Sequence, residues 1–290
     1  MKFRYITAIA VITALPLAGC ATATPDATPT PTTPVSFAAG TTMARLHDAQ
    51  KVIVGTKFDQ PLFGNKALDG KLEGFDVEIA KIIAGELGIP ADKVEFVATV
   101  SAVREEYIEQ GKADYVVATY TINDTRKQRV AFAGPYYVAG QDILVRKSDT
   151  SITGPDSFKD GTKKVCSVTG STPAKKIEEY VKDKTTQIVL FDAYSKCVEA
   201  LKTNAVDAVT TDNVILLGYA DQDPATVKVL NKPFTQEPYG IGVKKDDTAF
   251  RTFINDVLEK IYKDGRYAKA WADTVGDVAP APTGPAVNRY

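Results

Sequence analysis

Short apolar strands alternate with amphipathic helices over roughly 240 residues of this chain, and that alternation restricts the fold more than any other feature. Residues 51–56 (KVIVGT) read as a first buried strand. Residues 75–87 place Phe75, Ile79, Ile82, Ile83 and Leu87 on one helical face, and Gly88 is a natural stop. Strands are expected at 94–98, 115–119, 143–145, 165–168, 188–191 and 205–210, with helices at 102–110 and 195–203 and another starting near Pro173. Phe250, Phe253, Ile254, Val257, Leu258 and Ile261 follow the i, i+3, i+4, i+7 pattern, the cleanest amphipathic helix in the chain. The pattern predicts an α/β fold with largely parallel sheets. About ten strand candidates over this length favour two lobes over one oversized sheet.

Charge and residue counts narrow the chemistry. Lys plus Arg total 35 and Asp plus Glu 36, a net charge of −1, so nothing points to nucleic acid. The single histidine, His47, excludes any mechanism that needs two, such as HExxH zinc chemistry, and is expected on the surface. The sequence contains no G-x-S-x-G and no phosphate loop. No metal or cofactor is expected, and the enzyme readings are weakened. Three cysteines are too few for a disulfide-rich scaffold, and their odd number needs a separate account.

The first forty residues do not read as fold. Lys2 and Arg4 precede an uncharged, mostly apolar run over 5–18, about the length of a signal h-region and too short to span a bilayer comfortably. It ends in Leu17-Ala18-Gly19-Cys20, which resembles the lipobox of bacterial lipoproteins. That resemblance implies a signal peptide over 1–19 and lipidation of Cys20, against the alternative of a plain secretory peptide with an incidental cysteine. Thirteen of the sixteen residues 21–36 are Ala, Thr or Pro, so 20–46 is expected to be an extended tether. A lipid and a spacer imply a domain held at the extracytoplasmic face of the cell membrane. Removing Lys2 and Arg4 leaves 33 basic residues against 36 acidic, a net −3. The Pro-rich stretch 279–290 is expected to be a flexible tail.

Five blocks, in order, carry a further resemblance. They are Glu73-Gly74-Phe75-Asp76-Val77-Glu78-Ile79-Ala80; Arg104 with Gln110-Gly111-Lys112 and Asp114; and Thr119 to Arg126 with Val130-Ala131-Phe132 and Pro135-Tyr136-Tyr137. The last two are Val206-Asp207-Ala208 ending in Asp212, and Pro238-Tyr239-Gly240-Ile241-Gly242-Val243. Together they resemble the family 3 solute-binding proteins of polar amino-acid ABC transporters, and most of all glutamate-binding lipoproteins of high-GC Gram-positive bacteria. The resemblance implies a two-lobed, type II periplasmic-binding-protein-like fold with a ligand cleft between lobes. Lobe 1 would be 47–143 and, with C-terminal helices, 236–278; lobe 2 would be 144–235; hinge strands would lie near 142–146 and 233–239. It also implies a monomer that captures L-glutamate or a related acidic amino acid and serves a permease with a cytoplasmic ATPase. A sensor subunit would use the same site. An enzyme on the same fold, such as a dehydratase, would need a general acid in the cleft.

An amino-acid zwitterion needs an anion clamp and a cation clamp. A guanidinium suits the α-carboxylate because its parallel donors match two oxygens. The resemblance assigns Arg126 to that carboxylate, with Thr121 and the Gly170-Ser171-Thr172-Pro173 turn; taken alone, Arg126 reads first as a surface arginine. Thr172 suits an N-cap and Pro173 the first helical position. The turn departs from the commoner Gly-Thr-Thr form, so both Ser171 and Thr172 are candidates. Asp212, with Thr119, would take the α-ammonium, or else cap its own helix. Lys57 and Arg104 match positions that reach a distal carboxylate, with Ser101 and Tyr194 beside them and Phe58 walling the aliphatic part; the alternative is solvated surface charge. With Cys20 lipidated, Cys166 and Cys197 remain as the even pair, and outside the cytoplasm they are expected to bridge.

Overall fold

The computed structural model describes residues 35–290. The expected signal peptide, the lipidation at Cys20 and the tether up to residue 34 lie outside the described residues. Helix α1 (Thr42–Ala49) comes first; Thr41 caps it by accepting the Ala44 N–H, and Leu46 is buried. Phe37 packs edge-on against His47 and Phe253. The folded part therefore begins about ten residues before position 47, because Phe37 and Leu46 have apolar partners. His47 is also tied in, with Nδ1 2.7 Å from the Leu87 carbonyl.

Strand β1 (Val52–Thr56) leads into β2 (Asp59–Gln60), β3 (Gly64–Lys66) and β4 (Leu72–Glu73), a small antiparallel sheet. These three strands are too short to show a period. Next come α2 (Phe75–Glu86), β5 (Val94–Ala98), α3 (Arg104–Glu109), β6 (Tyr115–Val116), α4 (Asp124–Lys127) and β7 (Val130–Ala139). The chain continues through β8 (Gln141–Arg146), β9 (Val165–Val168), α5 (Thr172–Ile177), α6 (Lys184–Gln187), β10 (Ile188–Phe191) and α7 (Tyr194–Lys202). It ends with β11 (Ala208–Asp212), α8 (Asn213–Gln222), β12 (Val227–Val229), β13 (Glu237–Lys244), α9 (Thr248–Asp264) and α10 (Arg266–Ala272).

Two five-stranded sheets result, ordered β5-β1-β6-β13-β7 and β10-β9-β11-β8-β12. Each is mixed, where the β–α alternation predicts largely parallel sheets. Strands β5, β1 and β6 run parallel, as do β10, β9 and β11. Antiparallel pairing enters through β7, β8, β12 and β13. The reason is topological: the chain leaves the first sheet along β7 and returns along β13, so these neighbours run in opposite directions.

The change of sheet occurs at Gly140, between β7 and β8. Residues 142–146 pair with β11 and β12 throughout, so they belong to the second sheet, and the first crossover precedes the expected hinge. The two crossing segments touch there. Gln141 N donates to Thr235 Oγ1 (2.9 Å) and Phe234 N to the Gln141 carbonyl (2.9 Å). A Cβ at position 140 would stand 2.8 Å from both Pro233 Cβ and Thr235 O, so only glycine allows this approach.

Lobe 1 is packed by aromatic rings. Phe63 contacts the rings of Phe75, Tyr137, Tyr239 and Trp271 of α10, and Trp271 also contacts Phe75 and Tyr137. The stretch 279–290 lies along this lobe and is not a loose tail. Trp271 Nε1 donates to the Ala279 carbonyl, Asn288 N to the Gly134 carbonyl, and Phe132 N to Tyr290 Oη. A terminal tyrosine and arginine give the segment partners that its prolines alone do not suggest. In lobe 2, Cys166 on β9 and Cys197 on α7 form a disulfide with a Cα–Cα distance of 5.5 Å. No helix among the described residues is long and apolar enough to cross a membrane.

The bridge closes a loop with a sequence separation of 31. Cys197→Ser is expected to destabilise lobe 2 by about 3 kcal/mol on chain-entropy grounds. Urea unfolding of the variant checks this, and an unchanged midpoint would contradict it.

Candidate functional site

Parallel strands present their carboxyl ends to the space between the sheets, the usual ligand position in α/β folds. Just past β6 the backbone turns sharply at Thr119, whose φ of +46° is uncommon for a β-branched residue. Three partners hold it there. Its N–H donates to Asp76 Oδ2 (2.7 Å), and its hydroxyl lies 2.8 Å from Gln60 Oε1. Arg104 Nη1 donates to the carbonyls of Ala118 (2.7 Å) and Thr119 (3.4 Å). Asp76 is fully buried, and its other oxygen accepts the Tyr136 hydroxyl at 2.5 Å. Burial pushes its carboxyl up to about 7, against the pull of those two hydrogen bonds.

A tight cavity of about 10 Å³, room for about one water, lies between the lobes. From lobe 1, Ser101, Arg104, Thr119 and Thr121 line it, as does Gln60. From lobe 2 come Ser171, Thr172, Tyr194 and Asp212, with Thr211. Eight of the residues singled out in the sequence thus meet around one space. Lys57 stands behind Ser101, with Nζ 2.8 Å from Ser101 Oγ. Phe58 does not line the cavity; the Lys66 ammonium sits over its ring at 5.4 Å.

The cations of this site are buried. Lys57 and Arg104 are 4% and 2% exposed. Neither forms an ion pair among the described residues; their partners are a hydroxyl and two carbonyls. Burial pushes the Lys57 ammonium well below the usual lysine range, and the neighbouring Arg104 adds to the shift. Arg126 sits at the cleft mouth, also buried. It donates to the carbonyls of Thr121 (2.7 Å) and Gly170 (3.0 Å), and its Nε lies 3.3 Å from Glu105. Burial and then Arg104 lower it to about 10. Both guanidiniums stand over the Tyr120 ring, at 4.2 and 5.1 Å.

Asp212 faces these cations from lobe 2. It occupies the N-cap position of α8 but makes no capping bond. One oxygen accepts the Tyr239 hydroxyl (2.6 Å); the other is buried without a partner, as is Thr211 Oγ1. Burial pushes its carboxyl up to about 7, and Glu237 adds to this. Across the cleft, Arg104 Nε is likewise buried and unpartnered. The cavity therefore presents the Arg104 guanidinium on one wall and the Asp212 carboxylate on the other, the charge pattern of a small zwitterion.

The turn at 170–173 is shifted by one residue from expectation. Ser171, in extended conformation, is the N-cap of α5 and accepts the Ala174 N–H, while Thr172 is already helical. Freed from capping, the Thr172 hydroxyl donates to Glu237 (2.9 Å) and lies 3.2 Å from Thr121 Oγ1. Asp76, Gln60, Thr211 and Tyr239 were not singled out as site residues by sequence. Asp76 carries a legible signal, a carboxylate on the apolar face of the 75–87 helix. Gln60 carries none.

The sequence profile of the bacterial extracellular solute-binding proteins, family 3, matches residues 52–273. The chain is 41% identical over 235 residues to the glutamate-binding protein GluB of Corynebacterium efficiens, covering 78% of this chain and 79% of that one. It is 40% identical over 227 residues to the ABC transporter glutamine-binding protein GlnH of Bacillus subtilis, covering 78% and 81%. An ancestral arginine-binding protein bound to arginine superposes with a TM-score of 0.72 at 39% identity, over 78% of this chain and 98% of that one.

Asp212→Asn is expected to raise the Tm of the ligand-free protein by several degrees near pH 8. A carboxyl raised from 3.8 to about 7 destabilises the fold fully above pH 7, progressively less between 7 and 4, and not at all below 4. Scanning calorimetry across that range checks it; a Tm difference independent of pH would contradict it.

Proposed function

Because this chain belongs to the family 3 bacterial extracellular solute-binding proteins, we propose that it captures an acidic amino acid, glutamate foremost and aspartate as the shorter alternative, by closing its lobes around it. The ligand then passes to an ABC permease driven by a cytoplasmic ATPase. In this reading the protein is a monomer held on the extracytoplasmic face by a lipid on Cys20.

The observation that carries the ligand class is the pair of buried, unpaired cations, Lys57 and Arg104, opposite the unpartnered oxygen of Asp212. Burying an unpaired charge costs several kcal/mol, about what a partner of opposite sign recovers. Arg126 and Thr121 take the α-carboxylate, with Ser171 and Thr172 across the cleft. Asp212 and Thr119 take the α-ammonium. Lys57, Arg104 and Ser101 meet the distal carboxylate, with Tyr194 alongside. The similar proteins are named for glutamate, glutamine and arginine, so kinship leaves the side chain open, and the buried cations favour an acidic one. Glutamine would leave Lys57 without a counter-charge, and arginine would place like charges together. Closure excludes water and strengthens each charge pair. None of these roles needs a general acid.

Calorimetry against the common amino acids tests this. Tight glutamate binding with weak glutamine binding is expected; equal binding of the two removes Lys57 and Arg104 from side-chain recognition. Lys57→Ala is expected to narrow the glutamate-to-glutamine ratio. Arg126→Ala is expected to weaken every amino acid by about 100-fold, the scale of a charge-assisted hydrogen-bond pair. The anchor has its own test: Cys20→Ser is expected to move the protein from the membrane fraction into the medium, and continued membrane recovery would reject lipidation.

A further inference from the structure

Helix α7 begins at the cleft without a cap of its own. Its N-cap residue is Ala193, which offers no side-chain acceptor and belongs to the poorest class of N-caps. The acceptor comes from the opposite lobe. Asp59 of β2 accepts the Tyr194 N–H at Oδ2 (2.8 Å), and the same oxygen lies 3.4 Å from Ser195 N. The Tyr219 hydroxyl of α8 donates to the backbone carbonyl of Asp59. At Gly218 a Cβ would stand 2.5 Å from the Pro61 carbonyl oxygen, so glycine permits α8 to lie directly against the β2–β3 turn.

That turn is part of lobe 1. Phe75 N donates to the Leu62 carbonyl and Asp76 N to the Phe63 carbonyl, and Phe63 sits in the lobe 1 aromatic cluster. Helix α7 is part of lobe 2, tied to β9 through Cys166 and Cys197. The carboxylate of one lobe therefore completes a helix terminus of the other, and it does so at the residue whose side chain lines the cavity.

We propose that Asp59 is a cross-cleft latch, a positioning residue that caps α7 in trans, favours the closed arrangement of the lobes and holds Tyr194 against the cavity. The first amides of a helix carry partial positive charge and attract a carboxylate. This cap exists only when the lobes are together, so it weights the closed population. Apparent affinity scales with the fraction of molecules able to close, so the latch acts on every ligand by the same factor. The inference rests on the amino-acid reading only where it uses binding as a readout.

Asp59→Ala and Asp59→Asn, titrated with glutamate and with glutamine by calorimetry, are expected to lose roughly 5- to 30-fold in affinity for both, the scale of a helix cap. Their glutamate-to-glutamine ratio stays at the wild-type value, unlike that of Lys57→Ala. Small-angle scattering of the ligand-free chain is expected to show a larger radius of gyration. Adding Ala193→Ser to Asp59→Ala restores a cap within lobe 2 but not closure, so affinity stays low. Unchanged affinity, unchanged scattering, an altered ratio, or full rescue by Ala193→Ser would each overturn the latch. If the wild-type chain binds no amino acid, the functional reading fails, and scattering still decides the latch.

Discussion

The cleft edge of lobe 1 hangs from one carboxylate. Asp76 has no exposure to water, and a carboxylate so placed survives only if its oxygens are satisfied. Tyr136 of β7 satisfies one and the Thr119 amide the other. Those two bonds fasten α2 to β7 and to the turn after β6. They also hold Thr119 in its left-handed conformation, which directs the Ala118 and Thr119 carbonyls at Arg104. Four elements are thereby locked around one buried group, and strained backbone persists only where its surroundings over-determine it in this way.

The site built on that frame gives up stability for binding. Burial and then the neighbouring Arg104 depress Lys57 and Arg126, and burial holds Asp212 away from its preferred charge state. Each would be better solvated outside. A ligand with complementary charges relieves these penalties, so binding strengthens the fold by mass action. Contacts between the lobes follow the same logic: Thr172 to Glu237, Arg126 to the Gly170 carbonyl, and Asp59 to the start of α7.

Legibility in the sequence followed the range of the interactions. Helix α9 was readable because its apolar residues repeat at helical spacing, and Phe250, Ile254, Val257, Leu258 and Ile261 are all buried. Strands β1, β5, β9 and β10 were readable as short apolar runs. The three strands after β1 were not, because two or three residues carry no period. Helix α1 was hidden beside a Pro-rich stretch, and 279–290 was misjudged because its partners lie on β7, α9 and α10. The cap at Ser171 was missed by one position, since Ser and Thr are both good caps and only backbone conformation separates them.

Local patterning was enough to specify an α/β chain, while the pairing of Cys166 with Cys197 and the charged residues of a zwitterion site came from resemblance to known sequence motifs. Patterning depends on residues near one another in sequence, and motifs on which residue types follow in order. Which charges meet depended on the tertiary structure. Lys57 and Ser101 are 44 residues apart, Arg126 and Gly170 also 44, and Asp59 and Tyr194 135. Parallel pairing of β1 with β5 brings Lys57 to Ser101, and the double crossing at Gly140 and 232–236 brings the other two pairs together across the cleft. Only burial there turns a lysine, two arginines and an aspartate from solvated surface charges into groups that need a partner.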